Sequence, residues 1–347
     1  MALSTRGKTL VGILSVVVLA GAAFVGFRLL TKEEGEPIIP GVPILDHPTL
    51  CPLTGEEASS DAAAERPALA IKVENIDEAR PQAGLLQADV IWEEEAEGGI
   101  TRFIAVYQCQ DARRVGPVRS ARPVDPPILR QLGRPLFGYA GGVASVEQQI
   151  AAAGVIDLNY IDAADAYTRD PNRSAPHDLY TSTRALRRAA GGRGQASEGL
   201  FTYEEDAPER RDTRPGREIV ADWSIATDVV WRYRGSDGLY RRFHGKEAHT
   251  LEDGSQVAVS NVVVMLVERL ETRIVDPAGN PVPNFDVVGR GDAIVFRDGR
   301  AIRGRWERPD EEDLTRFVSR DGEDIPLKPG ITWIMLYPTD AEAPIEF

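Results

Sequence analysis

The sequence of 347 residues has few of the side chains from which most catalytic and metal sites are built. It contains two cysteines, four histidines and three methionines. The patterns HExxH, CxxC, GxGxxG and GxSxG and the phosphate-binding Walker loop do not occur in it. We therefore expect no metal site and no cofactor.

The sequence also lacks any run of lysine and arginine. It has 54 acidic and 40 basic residues, which give a formal net charge of -14. A surface of that sign repels nucleic acid and anionic lipid, so we expect no nucleic-acid partner. Hydrophobic residues make up 42% and charged residues 27% of the chain. These are ordinary values for a folded globular protein, and they argue against a disordered chain.

One long apolar run lies near the N-terminus, at residues 10–27, with basic residues on both sides and no charge inside it. As a helix of about 18 residues it spans about 27 Å, close to the thickness of a bilayer core. Residues 1–30 are therefore predicted to form a short cytoplasmic N-terminus and a single membrane anchor. A secretory signal cleaved near Ala20-Gly21-Ala22 is the alternative. In both cases the bulk of the chain is predicted to be extracytoplasmic.

The two cysteines, Cys51 and Cys109, follow the apolar run. In an oxidising compartment they can form one disulfide, and two separate thiols are the alternative. No cysteine lies directly after the apolar run. A lipid-modified cysteine is therefore not expected to be the anchor.

Composition divides the exported part into four segments. Residues 31–48 are polar and proline-rich and predict a semi-rigid spacer. Residues 49–190 mix strand and helix patterns, which predicts an α/β (α+β) domain. Residues 191–216 are rich in glycine, arginine and acidic residues and predict an interdomain loop. Residues 217–347 alternate short apolar runs with Asp-Gly turns and predict a smaller, mainly β domain.

Individual elements are predicted from local patterns. The first domain is expected to contain a strand at 68–73, two strands at 90–108, a helix at 124–132, a strand at 136–140, and helices at 145–153 and 182–190. We expect the helix at 145–153 to begin at a Ser145 cap and to end at Gly154. The second domain is expected to contain strands at 229–231, 239–240, 262–267, 293–296 and 333–336.

The two strands at 90–108 carry an unusual number of glutamates. If Gly98-Gly99 is a two-residue hairpin loop, Glu95 lies opposite Arg102. Side chains alternate along a strand, so Glu93, Glu95, Glu97 and Arg102 would share one face, and Glu94 would lie on the other. This arrangement indicates either a charged cleft or a solvated hairpin end.

A segment after the turn at Gly116-Pro117 carries Arg119, Ser120 and Arg122. Two arginines three residues apart can bind one anion if the segment begins a helix. The structural alternative is that both arginines form ion pairs with the hairpin glutamates.

Histidines supply a further candidate. His177 lies beside Pro176 and can act as an acid, a base or a ligand near neutral pH, with a structural role as the alternative. His244 and His249 lie in an expected hairpin without a cysteine or helical partner, so they do not indicate a metal site.

Several stretches taken together resemble a bacterial envelope family. They are Cys51-Pro52-Leu53-Thr54-Gly55, Glu74-Asn75, Ala79-Arg80-Pro81-Gln82-Ala83-Gly84-Leu85, Gln87-Ala88-Asp89, Glu97-Gly98-Gly99-Ile100-Thr101-Arg102-Phe103, residues 116–123, and Ala175-Pro176-His177-Asp178-Leu179-Tyr180-Thr181-Ser182-Thr183. The second domain matches more loosely, through residues 291–293, 296–299 and 328–333. The sequence is similar to the YerB-like lipoprotein family, a domain family of unknown function.

This resemblance implies an extracytoplasmic protein with two family domains and transfers no catalytic residues. It adds Asn75, Arg80 and Gln82 to the candidate ligand-binding residues, and it favours a charged cleft over a solvated hairpin end. The chain departs from the family in two respects. It lacks the lipid-anchor cysteine of many members, and Glu94 and Glu95 stand where small or apolar residues are usual.

These observations predict a membrane-anchored, non-catalytic binding or accessory protein of the bacterial cell envelope. Its expected partners are the cell membrane, through the N-terminal helix, and a cell-wall polymer or a membrane protein of wall synthesis. The alternative is an envelope hydrolase or transferase acting on a glycan or an anionic polymer, with Glu93 or Glu97 as acid or base. In either case one patch is expected to contain Glu93, Glu97, Arg102, Arg119 and Arg122, with His177 at its rim.

Overall fold

The computed structural model describes residues 48–206, 213–224, 227–276 and 279–347. The predicted membrane anchor at residues 1–30 and almost all of the predicted spacer lie outside the described residues. Within the described ranges, no helix is long and apolar enough to cross a membrane. The described residues belong to one unit, which begins at Pro48 and ends at Phe347.

The described helices are α1 (Asp61–Ala64), α2 (Asp125–Arg130), α3 (Ala144–Ala152) and α4 (Thr183–Ala190). The described strands are β1 (Leu69–Asn75), β2 (Val90–Glu95), β3 (Thr101–Tyr107), β4 (Leu136–Gly138), β5 (Ile156–Asp157), β6 (Tyr167–Arg169), β7 (Leu179–Thr181), β8 (Thr213–Pro215), β9 (Glu218–Ser224), β10 (Thr227–Arg234), β11 (Leu239–His244), β12 (Glu247–Ala248), β13 (Ala258–Val259), β14 (Asn261–Val267), β15 (Gly289–Arg297), β16 (Arg300–Arg308), β17 (Arg316–Ser319) and β18 (Thr332–Pro338). Single 3-10 turns lie at Asp77–Ala79, Leu85–Gln87, Glu97–Gly99 and Ala164–Ala166.

One large mixed sheet contains strands from both halves of the chain. Its order is β17-β16-β15-β14-β18-β2-β3-β1-β4-β5, and β8 pairs with β16. The last strand, β18, lies parallel between β14 and β2, so it joins the second half of the sequence to the first. The predicted boundary at 191–216 thus divides the sequence but not the sheet, and two separable domains stay a prediction.

The central strands are apolar because both of their faces are covered. All seven residues of β18 are buried, as are six of the seven in β14, which is the pattern of strands buried on both sides. On one side Ile91, Phe103 and Trp333 pack with Trp231 of the smaller sheet β12-β11-β10-β9. We call this side the sheet-covered face.

The opposite side of the large sheet carries Trp92, Ile104 and Ile334. These side chains belong to the same core cluster as Ile128 of α2 and Ile150 of α3. We call this side the helix-covered face. Each charged side chain of β1, β2 and β3 therefore enters one of two different layers, according to its position in the strand.

Most predicted elements are found, and one predicted helix start is wrong. The Ser182 hydroxyl accepts a hydrogen bond from Ala185 N at 3.1 Å, and Gly191 ends α4 with a φ of +60°. In α3, however, Ser145 lies inside the helix. The N-cap is Val143, which is extended and offers no side-chain hydrogen bond. A Ser145 cap would make Val146 the first helical residue, whereas the helix begins two residues earlier, at Ala144, because Val143 already has the extended backbone of a cap.

The predicted disulfide is confirmed. Cys51 and Cys109 are bonded, with their Cα atoms 5.9 Å apart. The bond packs against Ala64 of α1 and ties the start of the described chain to the end of β3.

Candidate functional site

The β2–β3 hairpin places its acidic residues differently from the expectation. Glu94, and not Glu95, lies opposite Arg102. The connection covers residues 96–100 and is closed by a 2.7 Å hydrogen bond between the backbones of its first and last residues. A five-residue connection shifts the register relative to a two-residue loop, and such a shift moves side chains to the other face. The predicted shared face of Glu93 and Arg102 is therefore wrong.

The helix-covered face carries a group of ionisable residues that we call the charged cluster. It contains four carboxylates, four cationic side chains and one histidine. Its members are Lys72, Glu74, Glu94, Glu97, Arg102, Arg119, Arg122, Asp125 and His177. The formal charges of its four carboxylates and four cationic side chains balance.

The innermost part of the charged cluster is closed to solvent. Lys72 Nζ contacts Glu94 Oε1 and lies 2.7 Å from Asp125 Oδ1, and all three side chains are fully buried. Asp125 Oδ2 accepts a hydrogen bond from Arg122 N at 2.8 Å. Burial raises the pKa of Glu94 to about 8, with Lys72 acting against this rise and Asp125 adding to it. These residues fix α2 to the sheet.

Two arginines, Arg102 and Arg122, meet at Glu97. Glu97 Oε2 accepts a hydrogen bond from Arg122 Nη2 at 2.6 Å and from Arg102 Nη1 at 3.2 Å. Arg122 Nη1 also donates to Ala121 O at 2.8 Å. Glu97 Oε1 and Arg122 Nε are buried and have no hydrogen-bond partner among the described residues.

Arg119 and His177 meet at a different carboxylate, Glu74. Arg119 Nε lies 2.8 Å from Glu74 Oε1, and His177 Nδ1 lies 2.8 Å from Glu74 Oε2. The segment after Gly116 runs beside β1, since Arg119 N donates to Lys72 O at 2.9 Å. The Glu74 side chain is 2% exposed, whereas Arg119 is 27% and His177 20% exposed. His177 and Arg119 are thus the part of the cluster nearest to solvent.

Glu74 and Lys72 were not among the site residues predicted from the sequence, although the sequence pattern around them is unusual. Both are charged residues within the run Leu69–Asn75, which is otherwise suited to a buried strand. Charged side chains that are fully buried are rare unless they are paired. Two of them on the same side of a buried strand therefore indicate partners on a neighbouring element.

Glu93 lies in the other layer, on the sheet-covered face. Its Oε1 accepts from Thr101 Oγ1 and Arg242 Nη2, both at 2.7 Å, and its Oε2 accepts from Trp333 Nε1 at 2.8 Å. Glu93 and Arg242 are both 0% exposed. The prediction that Glu93 joins Glu97 in one patch is wrong. Glu93 lies opposite Phe103, on the sheet-covered face, whereas Glu97 lies in the connection after β2 and contacts Arg102 on the other face.

Three other candidates belong to the same layer as Glu93. Gln82 Nε2 donates to Asn75 Oδ1 at 3.0 Å, and Arg80 Nε donates to Asn75 Oδ1 at 3.3 Å. His249 lies between Gln82 Oε1, at 2.9 Å from its Nε2, and Arg242 Nη1, at 2.8 Å from its Nδ1. Burial lowers the pKa of His249 well below its usual value, and Arg242 lowers it further. We call these residues, with Glu93, Thr101 and Trp333, the buried network.

A cleft of about 500 Å³ opens beside the charged cluster, and we call it the polar cleft. Its lining is contributed by Glu97, Ser120, Arg122, Ala140, Gly141, Gly142, Val143, Glu147, Ile161, Val275 and Asp276. A Cβ on Gly142 would lie 3.6 Å from Glu147 Cγ, so the two glycines leave room between the loop and α3. Three carboxylates and one guanidinium group line it. No group of metal-ligating side chains was found in the described ranges.

The chain matches two family profiles. Residues 53–196 match the N-terminal domain of a protein of unknown function (DUF3048), and residues 219–334 match the C-terminal domain of the same family. The chain is 28% identical to a protein named "Putative lipoprotein YerB" of Bacillus subtilis (strain 168), over 93% of this chain and 95% of that protein.

A solved structure is also similar. The crystal structure of the YerB protein from Bacillus subtilis has a TM-score of 0.74 and 27% sequence identity, and the match covers 86% of this chain and 100% of that chain. The two profiles give the chain a two-domain architecture in sequence, and both parts contribute strands to mixed sheets. The chain therefore belongs to the YerB-like (DUF3048) family of proteins of unknown function.

Proposed function

We propose that this protein is a membrane-anchored accessory protein of the cell envelope that binds a cell-wall component in the polar cleft without chemical change. One observation carries the proposal. Glu97, Ser120 and Arg122, three residues singled out from the sequence, line the same cleft. A concave site with a few convergent polar groups is the usual form of a ligand site.

The polar atoms of the cleft residues indicate the kind of group that would bind. Glu97 Oε1 can accept a hydrogen bond and Arg122 Nε can donate one. Neither atom has a hydrogen-bond partner among the described residues. Buried polar atoms of this kind are usually completed by water or by a ligand. A hydroxyl or an amide offers both a donor and an acceptor, and wall glycans and wall peptides carry both groups.

The ion pairs favour binding over hydrolysis or group transfer. Glu93 is fully buried and its two carboxylate oxygens accept three hydrogen bonds, so it is closed to a substrate. Glu97 is held by two guanidinium groups. A general acid or base has to lie within reach of the substrate proton that it transfers. Glu93 cannot reach a substrate, and Glu97 Oε2 is occupied by the two arginines, which leaves Oε1 to accept a hydrogen bond from a bound ligand.

Membrane attachment through residues 10–27 is part of the proposal. The name of the Bacillus subtilis relative supports a location at the membrane. Both cysteines of this sequence form the disulfide, so neither is available for a lipid. Mass spectrometry of protein extracted from membranes should find the apolar run intact, whereas an N-terminus near Ala23 would contradict anchoring by this helix.

Filling the polar cleft tests the binding proposal. Gly142 lies in the cleft wall and has no left-handed backbone, so Gly142→Leu adds a side chain there without backbone strain. The matched control is Gly235→Leu in the turn between β10 and β11, where a Cβ also meets only ordinary contacts. Binding of muramidase-released wall fragments should fall about tenfold or more for Gly142→Leu and stay unchanged for Gly235→Leu. Equal binding by all three proteins would contradict the proposal.

A further inference from the structure

A second cleft lies away from the charged cluster, and we call it the apolar cleft. Its volume is about 530 Å³, and its apolar lining includes Leu200, Phe201, Leu314, Phe317 and Ile325. The rings of Phe201 and Phe317 stack with centroids 5.4 Å apart. Leu314 is 39% exposed and is one of five large apolar side chains in the described ranges that are exposed rather than buried or half-buried. The volume is that of a ligand site, not of a packing defect.

The rim of the apolar cleft is acidic. Carboxylates of Glu198, Glu307, Asp313 and Asp324 lie around it, with Arg316 as the basic residue. Arg316 is engaged within the rim, since its Nη2 lies 2.7 Å from Asp324 Oδ1. Glu307 is paired as well, since Arg305 Nη2 lies 3.4 Å from its Oε1. The negative charge of Glu198 and Asp313 remains, and it has the same sign as the net charge of -14 of the whole chain. This field attracts cations and repels acidic peptides and anionic lipid.

The shape of the cleft suits an extended chain. Two runs of consecutive residues, 198–202 and 313–317, supply most of its lining. The second run leads into β17, which ends the strand order of the large sheet. A groove between two chain segments can hold an extended peptide, with apolar side chains on its floor and charged side chains at its rim.

We propose that the apolar cleft binds a peptide segment of a partner protein in which large apolar side chains alternate with lysine or arginine. The apolar side chains are removed from water against Phe201, Leu314 and Phe317. The cationic side chains lie against the acidic rim. This partner surface is separate from the polar cleft and does not depend on the function proposed there.

Defined peptides test the inference. The full chain is placed in nanodiscs of phosphatidylcholine, a lipid without net charge, and the binding of labelled hexapeptides is followed by fluorescence anisotropy. Leu-Lys-Phe-Lys-Leu-Lys should bind at least about tenfold more tightly than Leu-Glu-Phe-Glu-Leu-Glu or Gly-Lys-Gly-Lys-Gly-Lys. Binding should also weaken as salt is raised, because part of it comes from exposed charges.

Two variants locate the binding. Leu314→Ser and Glu198→Lys change an exposed floor residue and an exposed rim residue, and each should weaken binding of the basic apolar peptide about fivefold to tenfold. Leu270→Ser is the control, since Leu270 is 43% exposed and lies outside the apolar cleft. Thermal unfolding should be the same for all three variants.

Three results would overturn the inference. They are equal binding of the basic and acidic apolar peptides, unchanged binding by Leu314→Ser and Glu198→Lys, and a fall in the amount of bound labelled peptide when more of the chain, which carries no label, is added. The last result would mean that the cleft joins two copies of this chain.

Discussion

Replacing Glu93 by alanine is the perturbation that most clearly separates a structural carboxylate from a ligand-binding one. Glu93→Ala leaves the Arg242 guanidinium group without its counter-charge at a position that is 0% exposed. Removing one partner of a buried ion pair typically costs about 3–5 kcal/mol. Thr101 and Trp333 also lose their acceptor, and a buried donor left unsatisfied costs about 1–3 kcal/mol, although such terms do not simply add. We expect a loss of at least about 4 kcal/mol in the free energy of unfolding.

Urea unfolding followed by tryptophan fluorescence measures this loss, since the Trp333 indole contacts Glu93 directly. Glu147→Ala is the control, because its half-buried side chain lies on the polar cleft and substitutions outside such networks change stability by about 0.5 kcal/mol or less.

A double replacement isolates the ion pair. Apolar side chains of similar size can replace a buried ion pair at little cost. The pair of changes Glu93→Leu and Arg242→Met should therefore cost less than the sum of the two single changes. A loss below about 1 kcal/mol for Glu93→Ala, which is the range of surface pairs, would refute the structural role of Glu93 in the buried network.

Three further predictions concern pH, redox state and domain organisation. Burial raises the pKa of Glu94 above the ordinary glutamate value of about 4.3; the folded state therefore holds this proton more tightly, and the melting temperature should fall between pH 5 and about 8. Glu94→Gln should make the melting temperature less dependent on pH in this range. The same pH dependence in the variant as in the parent would contradict the role given to Glu94. Replacing Cys51 and Cys109 by serine should cost about 4 kcal/mol, because the bond closes a loop with a sequence separation of 58; dithiothreitol should then lower the melting temperature of the parent alone. Limited proteolysis should cut first within 191–216, and the fragments should co-elute under native conditions because β18 pairs with β14 and β2; first cuts elsewhere would argue against this boundary.

Local patterns in the sequence predicted much of the fold. The strand at 262–267 was predicted from an apolar run, and the helix at 182–190 from an amphipathic pattern that ends at Gly191, because these signals lie within a few consecutive residues. The disulfide was predicted from the expected export of the chain to an oxidising compartment and from the presence of only two cysteines in the sequence. The helix start at Ala144 was missed because Val143 supplies cap geometry without a capping side chain.

The site was predicted only in part, for two physical reasons. The length of the hairpin connection sets its register, and the sequence Gly98-Gly99 suits a two-residue loop as well as the longer connection that forms. One error of register moved Glu93 to the wrong face. The partners of Glu93 also lie far away in sequence, since Arg242 is 149 residues distant. No local pattern indicates a pairing of that kind.

Three of the five residues expected in one patch, Glu97, Arg102 and Arg122, do lie together, and the pairing of Arg122 with Glu97 is the structural alternative that the sequence left open. The second convergence, on Glu74, combines Arg119 with His177 at a carboxylate that is 103 residues from the histidine. Its recognition needed the pairing of β1 with the segment after Gly116, which brings Arg119 beside Glu74. The sequence predicted which residues were notable but not which carboxylate each one contacts.

Hydrogen exchange of the full chain, measured by mass spectrometry with and without muramidase-released wall fragments, tests the central claim most directly. Binding in the polar cleft should slow exchange of backbone amides at residues 97–100 and 140–147, which border the cleft. Amides around the buried network should not change, because those side chains are already closed to solvent. Protection confined to other surfaces, or no protection at saturating fragment concentrations, would contradict the assignment of the polar cleft as the binding site.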